Sequence, residues 1–323
     1  MGTNLGKIIE PKIIEMEDLR GRVLVIDAHN ILYQFLTVIR NRDGTLLRNK
    51  KGQVTSHLLG LLPRVTNWLA AELRPAFVFD GSPPDLKMGT VQERYRSRRA
   101  ALQKFEDAKA AGNVEDMRKY GIRSAHLTDE ILDSSMELLS AMGVPFIQAP
   151  SEADAQMAHM TVVGHAYAGV TQDYDPLLHG AERLVRNLSK SQRSRRGLQL
   201  VNLKDVLESL SLSREELVAL AIMMGTDYKP GGIYGIGPKR GQKLLREYDI
   251  KKAFQKANCD FDWQQIMDIF LEMPVTDNYE LRWEVPDKSQ LKEKIVSEFG
   301  FSEKRADKRV PQIVTAQEKN KAS

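Results

Sequence analysis

The chain of 323 residues has little of several things that define other protein classes. Its one cysteine, Cys259, excludes an internal disulfide bond and a cysteine-based zinc site. The six histidines are scattered, with no close pair suited to binding a metal ion, so a zinc enzyme is not expected. No apolar run approaches the ~20 residues needed to cross a membrane, and the amino terminus lacks the apolar core of a signal peptide. We therefore expect a soluble intracellular protein.

The charge of the chain is nearly balanced, with a formal net charge of +4. This total is weak evidence for a polyanionic partner, and the distribution says more. Basic residues bunch at 94–99, 183–196 and 239–252. The pattern favours acidic chemistry framed by basic binding surfaces, although charge runs are more often solvated faces.

Short apolar runs alternate with helical stretches along the first two thirds of the chain. The runs cover 23–26, 76–79, 144–147 and 166–170, with a further short strand at 198–202. They predict an α/β fold with a mostly parallel central sheet flanked by helices. In such sheets ligands bind beyond the carboxyl ends of the strands. The acidic residues at these ends, together with one from a later turn, are Asp27, Asp80, Glu152, Asp154, Asp173, Asp175 and Asp227.

Acidic residues gathered at one sheet edge repel one another. Two like charges about 4 Å apart repel by roughly 4 kcal/mol at an effective dielectric constant of about 20. A cluster of this size therefore needs cations, and carboxylates with water select hard ions such as Mg²⁺ or Mn²⁺. The leading hypothesis is a two-metal phosphodiester hydrolase.

Each acid also has a purely structural explanation. Asp27 fits a helix N-cap, Asp80 fits an ordinary turn, and residues 151–154 fit a capping box. Asp175 precedes a proline, as an N-cap residue often does. Four strand-to-helix junctions that all carry acids are hard to obtain from capping alone. The set therefore favours a shared site, with which capping is compatible.

The connection between Asp80 and the strand at 144 is more than sixty residues long and polar. Helices at about 90–111 and 114–120 are expected to project from it, whereas a helix at 128–142 has an apolar stripe for the sheet. Ser56 is expected to cap a helix that ends near residue 73, and residues 213–216 form a capping box. The stretch 189–197 is expected to be a mobile loop.

A glycine-rich segment, Gly235-Ile236-Gly237-Pro238-Lys239-Arg240, opens a later helix. Glycines let the backbone approach a phosphate closely, and a helix amino terminus carries free amides and partial positive charge. The segment therefore indicates a hairpin that holds a duplex backbone without reading bases. The alternative is a tight turn between two helices.

With these motifs in place, the chain resembles the flap endonucleases, structure-specific 5′ nucleases, and among them the archaeal type. The resemblance extends in order from about residue 1 to 310. The segments that carry it are Ile26-Asp27-Ala28, Tyr33-Gln34-Phe35-Leu36, Thr55-Ser56-His57-Leu58, Val78-Phe79-Asp80-Gly81, Ala149-Pro150-Ser151-Glu152-Ala153, Gln172-Asp173-Tyr174-Asp175, Gly225-Thr226-Asp227-Tyr228 and the glycine-rich segment.

The resemblance implies a 5′ flap endonuclease and 5′–3′ exonuclease of replication and repair, acting on 5′-flap, double-flap and nicked duplex DNA. All seven acids would bind two Mg²⁺ ions, for which Mn²⁺ substitutes, and Asp27 and Asp80 would also be catalytic. Lys87 and Arg94, at the base of a helical arch, would contact the scissile phosphate. Other implied DNA contacts are Gly2, the stacking Tyr33, and Gly235, Gly237, Lys239 and Arg240 of a hairpin assisted by K⁺.

The resemblance also implies a single nuclease domain over 1–310, with an arch at about 84–128 and a helix-hairpin-helix region at about 221–250. Residues 311–323 would be a flexible tail. A monomer in an archaeal cytoplasm, at the nucleoid, is expected. The alternative is a non-catalytic DNA-junction-binding module of the same fold.

The chain departs from the family pattern at three places. Asp154 stands where the family usually has glutamate. Thr3-Asn4 is atypical after a small amino-terminal residue, and Gly2 itself fits the family trait. The carboxyl-terminal residues lack the family's clamp-binding box, so either this sequence ends before such a box or the contact with a sliding clamp is made differently.

Overall fold

The computed structural model describes residues 3–188 and 197–322. Its strands are β1 (Lys12–Ile14), β2 (Val23–Asp27), β3 (Arg74–Phe79), β4 (Phe146–Gln148), β5 (Ala168–Val170), β6 (Arg183–Arg186) and β7 (Leu198–Asn202). Its α-helices are α1 (Ala28–Val38), α2 (Ser56–Ala70), α3 (Met88–Ala110), α4 (Val114–Arg123), α5 (Asp129–Ala141), α6 (Ala153–Val162), α7 (Asp175–Leu178), α8 (Leu203–Leu210), α9 (Arg214–Met224), α10 (Pro238–Glu247), α11 (Ile250–Lys256), α12 (Trp263–Glu272), α13 (Lys288–Glu293) and α14 (Glu303–Ala322).

One seven-stranded sheet, in the order β1-β7-β6-β5-β2-β3-β4, forms the centre of the molecule. The five strands from β6 to β4 are parallel to one another. β7 pairs antiparallel with β6, and β1 pairs antiparallel with β7. Leu24, Val25 and Ile26 of β2 are at most 1% exposed, because helices cover both faces of the sheet. The expected α/β fold with a mostly parallel sheet is confirmed.

Two strands of the sheet were not predicted. β1 has three residues, of which Lys12 and Ile13 are exposed, and this is too short for an alternating pattern. β6 has two buried residues between two arginines. Both strands are held by pairing with β7, which brings together segments about 185 residues apart in the case of β1. Such long-range pairing leaves no local signal in a segment of this length.

Two large apolar clusters support the sheet. The sheet core packs β2 and β3 against α1, α2, α5, α6 and α14. The helical core joins α7 to α12 with the outer strands and centres on α9, in which every residue from Leu217 to Met224 is buried. The predicted capping box at the start of α9 is confirmed by reciprocal bonds between Ser213 and Glu216.

The helix before the second parallel strand differs in detail from its prediction. Thr55 occupies the N-cap position, and α2 ends at Ala70 instead of near residue 73. The expected capping by Ser56 is wrong, because its Oγ accepts a hydrogen bond of 2.9 Å from the N–H of Leu47. Ser56 therefore anchors the preceding loop to the helix.

The carboxyl-terminal residues form a packed helix, so the prediction of a flexible tail over 311–323 is wrong. In α14, Val310, Ile313 and Ala316 are buried in the sheet core. Gln317 Nε2 donates to the carbonyls of Met142 and Gly143 at 3.0 and 2.9 Å. Apart from Gly197, the stretch predicted as a mobile loop lies outside the described residues. Over 3–188 and 197–322, no helix is long and apolar enough to cross a membrane.

The polar connection after β3 contains a short 3-10 turn (Asp85–Lys87) followed by α3 and α4. We call this segment, residues 85–123, the arch. Its two helices pack on each other through a small cluster of their own, formed by Phe105, Ala108 and Met117. The wider division of the chain into an arch at 84–128 and a duplex-binding region at 221–250 remains a prediction.

Candidate active site

Five segments that follow β2, β3, β4, β5 and α9 bring acidic residues to one open cavity of about 880 Å³. We call these acids the acid floor. Residues of the arch, among them Lys87 and Arg94, line the same cavity. The acid floor comprises all seven of the predicted residues, Asp27, Asp80, Glu152, Asp154, Asp173, Asp175 and Asp227.

Asp27 both caps a helix and faces the cavity. Its Oδ1 accepts a hydrogen bond of 2.9 Å from the N–H of Asn30 and so caps α1. Its Oδ2 accepts a hydrogen bond of 2.9 Å from the Thr171 hydroxyl. Burial and the charge of Asp80 raise the pKa of Asp27 to about 7. Asp27 is therefore the helix N-cap that was expected and also lines the cavity, while its role as a metal ligand stays a prediction.

Asp80 does not only form a turn, since its side chain also binds the start of a helix that lies about seventy residues further along the chain. Its Oδ1 accepts a hydrogen bond of 2.7 Å from the N–H of Ala153, the first residue of α6. Its Oδ2 lies 3.5 Å from Nδ1 of His29 on α1. Asp80 thus links the end of β3 to α6, which carries Asp154, and to α1, which follows Asp27.

Asp154 is not part of a capping box, and that explanation is wrong. Glu152 is the N-cap residue of α6 and makes no side-chain capping bond. Asp154 Oδ1 is buried and has no hydrogen-bond partner among the described residues. Burial, followed by the charges of Asp27 and Asp175, raises the pKa of Asp154 well above its usual value. This Oδ1 oxygen is therefore available to a ligand in the cavity, such as a water or an ion.

Asp175 is the first residue of α7, and Tyr174 takes the N-cap position that was expected for it. Its Oδ1 accepts hydrogen bonds of 3.0 Å from both the N–H and the hydroxyl of Thr3. Burial raises the pKa of Asp175 to about 6, and the bonds from Thr3 limit the rise.

The two predicted arch cations reach the acid floor. Lys87 Nζ lies 2.6 Å from Glu152 Oε1 and 3.7 Å from Asp227 Oδ2, and Arg94 Nη2 lies 2.7 Å from Asp227 Oδ1. Burial lowers the pKa of Lys87, but the charges of Glu152 and Asp227 outweigh this and the pKa is raised overall. Lys87 therefore keeps its positive charge inside the cavity.

Sequence reasoning missed several residues that hold the site. The Tyr228 hydroxyl donates to Glu152 Oε2 at 3.0 Å, and the Thr90 hydroxyl donates to the Asp227 carbonyl at 2.6 Å. Asn30 Nδ2 donates to Asp173 Oδ2 at 3.3 Å. Each lies close in sequence to a predicted residue, which was an available signal. Thr3 had no comparable signal beyond its departure from the family pattern.

The donor set fits hard divalent cations better than any other metal. The seven predicted ligands are all carboxylates, which suit Mg²⁺ or Mn²⁺, and an unsatisfied oxygen of Asp154 is buried among them. Within 3–188 and 197–322, no three acidic, histidine or cysteine side chains converge as a ready-made metal cage. Glu152 and Asp227 are instead paired with Lys87 and Arg94.

Of the other predicted DNA contacts within the described residues, only Tyr33 is among the residues that line the cavity. Tyr33 lines it half-buried, with the guanidinium carbon of Arg98 5.6 Å from the centre of its ring. The loop from Gly225 to Gly237 carries Asp227 at one end and the glycine hairpin at the other. Gly237 caps α10, and Lys239 and Arg240 are exposed in its first turn. Gly2 lies outside the described residues.

The sequence matches two models of one nuclease family, the XPG N-terminal domain over residues 2–101 and the XPG I-region over 143–227. It is 42% identical to flap endonuclease 1 of Staphylothermus marinus, over 98% of this chain and 95% of the relative. The chain belongs to the flap endonuclease family. Every member of the acid floor, and both arch cations, fall within the two matched ranges.

Solved structures agree with this membership of the flap endonuclease family. The flap endonuclease-1 of Methanococcus jannaschii matches with a TM-score of 0.80 and 40% identity, covering 98% of this chain and 99% of that one. The catalytic core of Rad2 in complex with DNA substrate matches with a TM-score of 0.72 and 22% identity, covering 97% and 100%. The second likeness shows that the fold is shared.

Proposed function

We propose that this protein is a structure-specific 5′ flap endonuclease and 5′–3′ exonuclease, which hydrolyses a DNA phosphodiester at a single-strand/duplex junction. The observation that carries the proposal is the acid floor, seven carboxylates from five segments around one cavity, with two arch cations above them. Membership of the flap endonuclease family supports branched DNA as the substrate. A substrate among the branched intermediates of chromosomal DNA would put the protein at the nucleoid, in the cytoplasm.

The acid floor would hold two Mg²⁺ ions, for which Mn²⁺ substitutes. When bound, these ions activate a water, polarise the phosphate and stabilise the leaving oxygen. Asp27 and Asp80 lie at the ends of neighbouring parallel strands, so their carboxylates are held by the most rigid part of the fold. Asp154 keeps an uncommitted buried oxygen for this role. Asp154, one methylene shorter than the family's usual glutamate, lies in the first turn of α6 and lines the cavity.

Lys87 and Arg94 would neutralise the charge that develops on the scissile phosphate. Both belong to the arch, and both already carry their positive charge to within 4 Å of carboxylates in the acid floor. A phosphate that enters between the arch and the acid floor therefore meets donors fixed in advance, which is the condition for electrostatic stabilisation of a transition state. Tyr33, on the same cavity wall, would stack on the nucleotide beside the cut.

The glycine hairpin would hold the downstream duplex. Gly235 adopts the left-handed conformation with φ of 74°, which a side chain would disfavour, and Ile233 and Ile236 anchor the hairpin in the helical core. The free amides at the start of α10 and the exposed Lys239 and Arg240 then face solvent together, with K⁺ assisting the grip on a phosphate. Contacts of this kind fix position on the duplex and carry no sequence information.

The test uses double-flap DNA with a labelled 5′ end, with and without Mg²⁺, comparing the wild-type protein with Asp175→Asn. We expect the wild type alone to release the intact flap, only with Mg²⁺, while both proteins bind the DNA similarly. Binding without cleavage by both proteins, with Mn²⁺ also tried, would identify a non-catalytic junction-binding module instead. Loss of DNA binding in parallel with cleavage in Asp175→Asn would contradict the role given to the acid floor.

A further inference from the structure

Thr3 makes a contact that its place in the chain does not require. It occupies the N-cap position of a short 3-10 turn (Asn4–Lys7), where a threonine side chain ordinarily accepts a hydrogen bond from an N–H of its own turn. Thr3 makes no such bond. Its hydroxyl instead donates to Asp175 Oδ1 at 3.0 Å, across 172 positions of sequence. The side chain is therefore committed to the acid floor and not to local structure.

The surrounding residues hold Thr3 firmly at this position. Thr3 is 8% exposed, and Leu5 is fully buried in the helical core. A Cβ on Gly6 would lie 2.9 Å from Cε2 of Tyr174, so the absence of a side chain at Gly6 lets the turn pack against the residue that precedes Asp175. The guanidinium carbon of Arg186 lies 4.0 Å from the centre of the same Tyr174 ring. The turn and the carboxylate are thus fixed relative to each other.

The N–H and the hydroxyl of Thr3 both donate to the same oxygen of Asp175, Oδ1, each at 3.0 Å. Two donors on Oδ1 fix the rotation of the carboxylate while using only one of its two oxygens. Donors behind a carboxylate ligand orient it and commonly change metal affinity by about 10- to 100-fold when removed. A side chain without a hydroxyl at position 3 would leave the backbone bond alone.

We propose that Thr3 is a positioning residue, whose hydroxyl sets the orientation of the Asp175 carboxylate for a divalent cation. The inference rests on the proposed function, since it takes Asp175 as a metal ligand. It concerns a residue at which this chain departs from the family pattern. Thr3 would therefore serve the cation site and not the stability of the amino-terminal turn.

Two substitutions separate the hydroxyl from the shape of the side chain. Thr3→Val keeps the shape and the backbone bond but removes the hydroxyl, whereas Thr3→Ser keeps the hydroxyl. Mn²⁺ binding to the whole protein without DNA is measured by titration calorimetry, beside kcat and KM on flap DNA and the thermal unfolding temperature. We expect Thr3→Val to weaken Mn²⁺ binding about 10-fold or more and to lower kcat, with KM little changed. Thr3→Ser should keep the Mn²⁺ affinity and kcat close to those of the wild type.

Wild-type Mn²⁺ affinity in Thr3→Val would overturn the proposal, as would an equal loss in Thr3→Val and Thr3→Ser, because either result removes the role of the hydroxyl. If Thr3→Val unfolds, Thr3→Ala makes the same comparison without placing an additional apolar methyl group in a buried position. A wild-type protein that neither binds Mn²⁺ nor cleaves would overturn the proposed function itself. The two failures are therefore distinguishable.

Discussion

The acid floor and the arch face each other across one cavity, yet they are held in different ways. The residues of the acid floor lie at or just beyond the ends of largely buried strands and helices, such as β2 and α9. In contrast, α3 of the arch has 23 residues, of which only Ala101, Phe105 and Ala108 are buried. Mutually repelling carboxylates need a scaffold that cannot relax away from them, whereas the arch cations are attracted to the site by charge.

This difference is also a difference in local stability. Regions with few buried apolar contacts open at lower free energy than the core of the same protein. The arch depends on its small cluster and on the ion pairs of Lys87 and Arg94, while the acid floor shares the stability of the whole sheet core. Three experiments test this difference between the acid floor and the arch.

The largest expected effect comes from removing one charge from the acid floor. Asp27→Asn should lower the single-turnover cleavage rate by about 10³-fold or more, since a metal-assisted step loses several kcal/mol of stabilisation. Asparagine is as good an N-cap as aspartate, so the unfolding free energy should stay within about 1 kcal/mol of wild type. Asp268→Asn, on an exposed face of α12, is the matched control and should cleave normally. A folded Asp27→Asn protein with normal cleavage would remove Asp27 from the catalytic site.

The next effect separates the two regions by their packing. Leu61→Ala, at a fully buried position of the sheet core, should lower the global unfolding free energy by about 2–5 kcal/mol. Phe105→Ala should instead accelerate amide hydrogen exchange within α3 and α4 and leave β2 and β3 protected. The exposed Leu102→Ala in the same helix serves as the control. Equal acceleration of exchange in the sheet and the arch would show one cooperative unit and refute the contrast.

The third effect is a pH dependence that belongs to the sheet core. Burial lowers the pKa of His57 from 6.5 to about 4, and its Nε2 lies 2.8 Å from the Ser134 hydroxyl. Between these pH values the unfolded chain binds a proton at this histidine that the folded protein does not, so His57 contributes a loss of unfolding free energy as pH falls. The raised pKa values of Asp27 and Asp175 contribute in the opposite direction over the same range. The loss from His57 reaches about 3 kcal/mol near pH 4.

Chemical denaturation from pH 7 to 4 measures this loss. His57→Gln should remove this contribution, so its unfolding free energy relative to wild type should rise by about 3 kcal/mol from pH 7 to pH 4. His126→Gln, at an exposed position, should show no such change. An unaltered slope in His57→Gln would show that His57 is already protonated in the folded protein. Amide hydrogen exchange in the arch should respond to the titration of His57 only where the exchange occurs by global unfolding.

Some elements could be predicted because their signal is local. The β2 and β3 strands are continuous apolar runs, and the capping box at Ser213 and Glu216 is complete within four residues. The acids that follow the strands were found for the same reason, since a parallel sheet necessarily gathers the ends of its strands. Metal binding by these acids stays a prediction that the experiments above test.

Other elements could not be predicted because distant segments create them. The α/β fold, four of the five parallel strands and the places of the acidic residues at strand ends could be read from the sequence, since apolar periodicity and strand ends are local properties. The packing of α14, with the polar Gln317 buried against the carbonyls of Met142 and Gly143, is visible only in the tertiary structure. The tertiary structure alone also joined Thr3 to Asp175 and turned Lys87 towards Glu152. These contacts depend on charge, hydrogen bonding and close approach between segments far apart in the chain, and no pattern within a single segment encodes them.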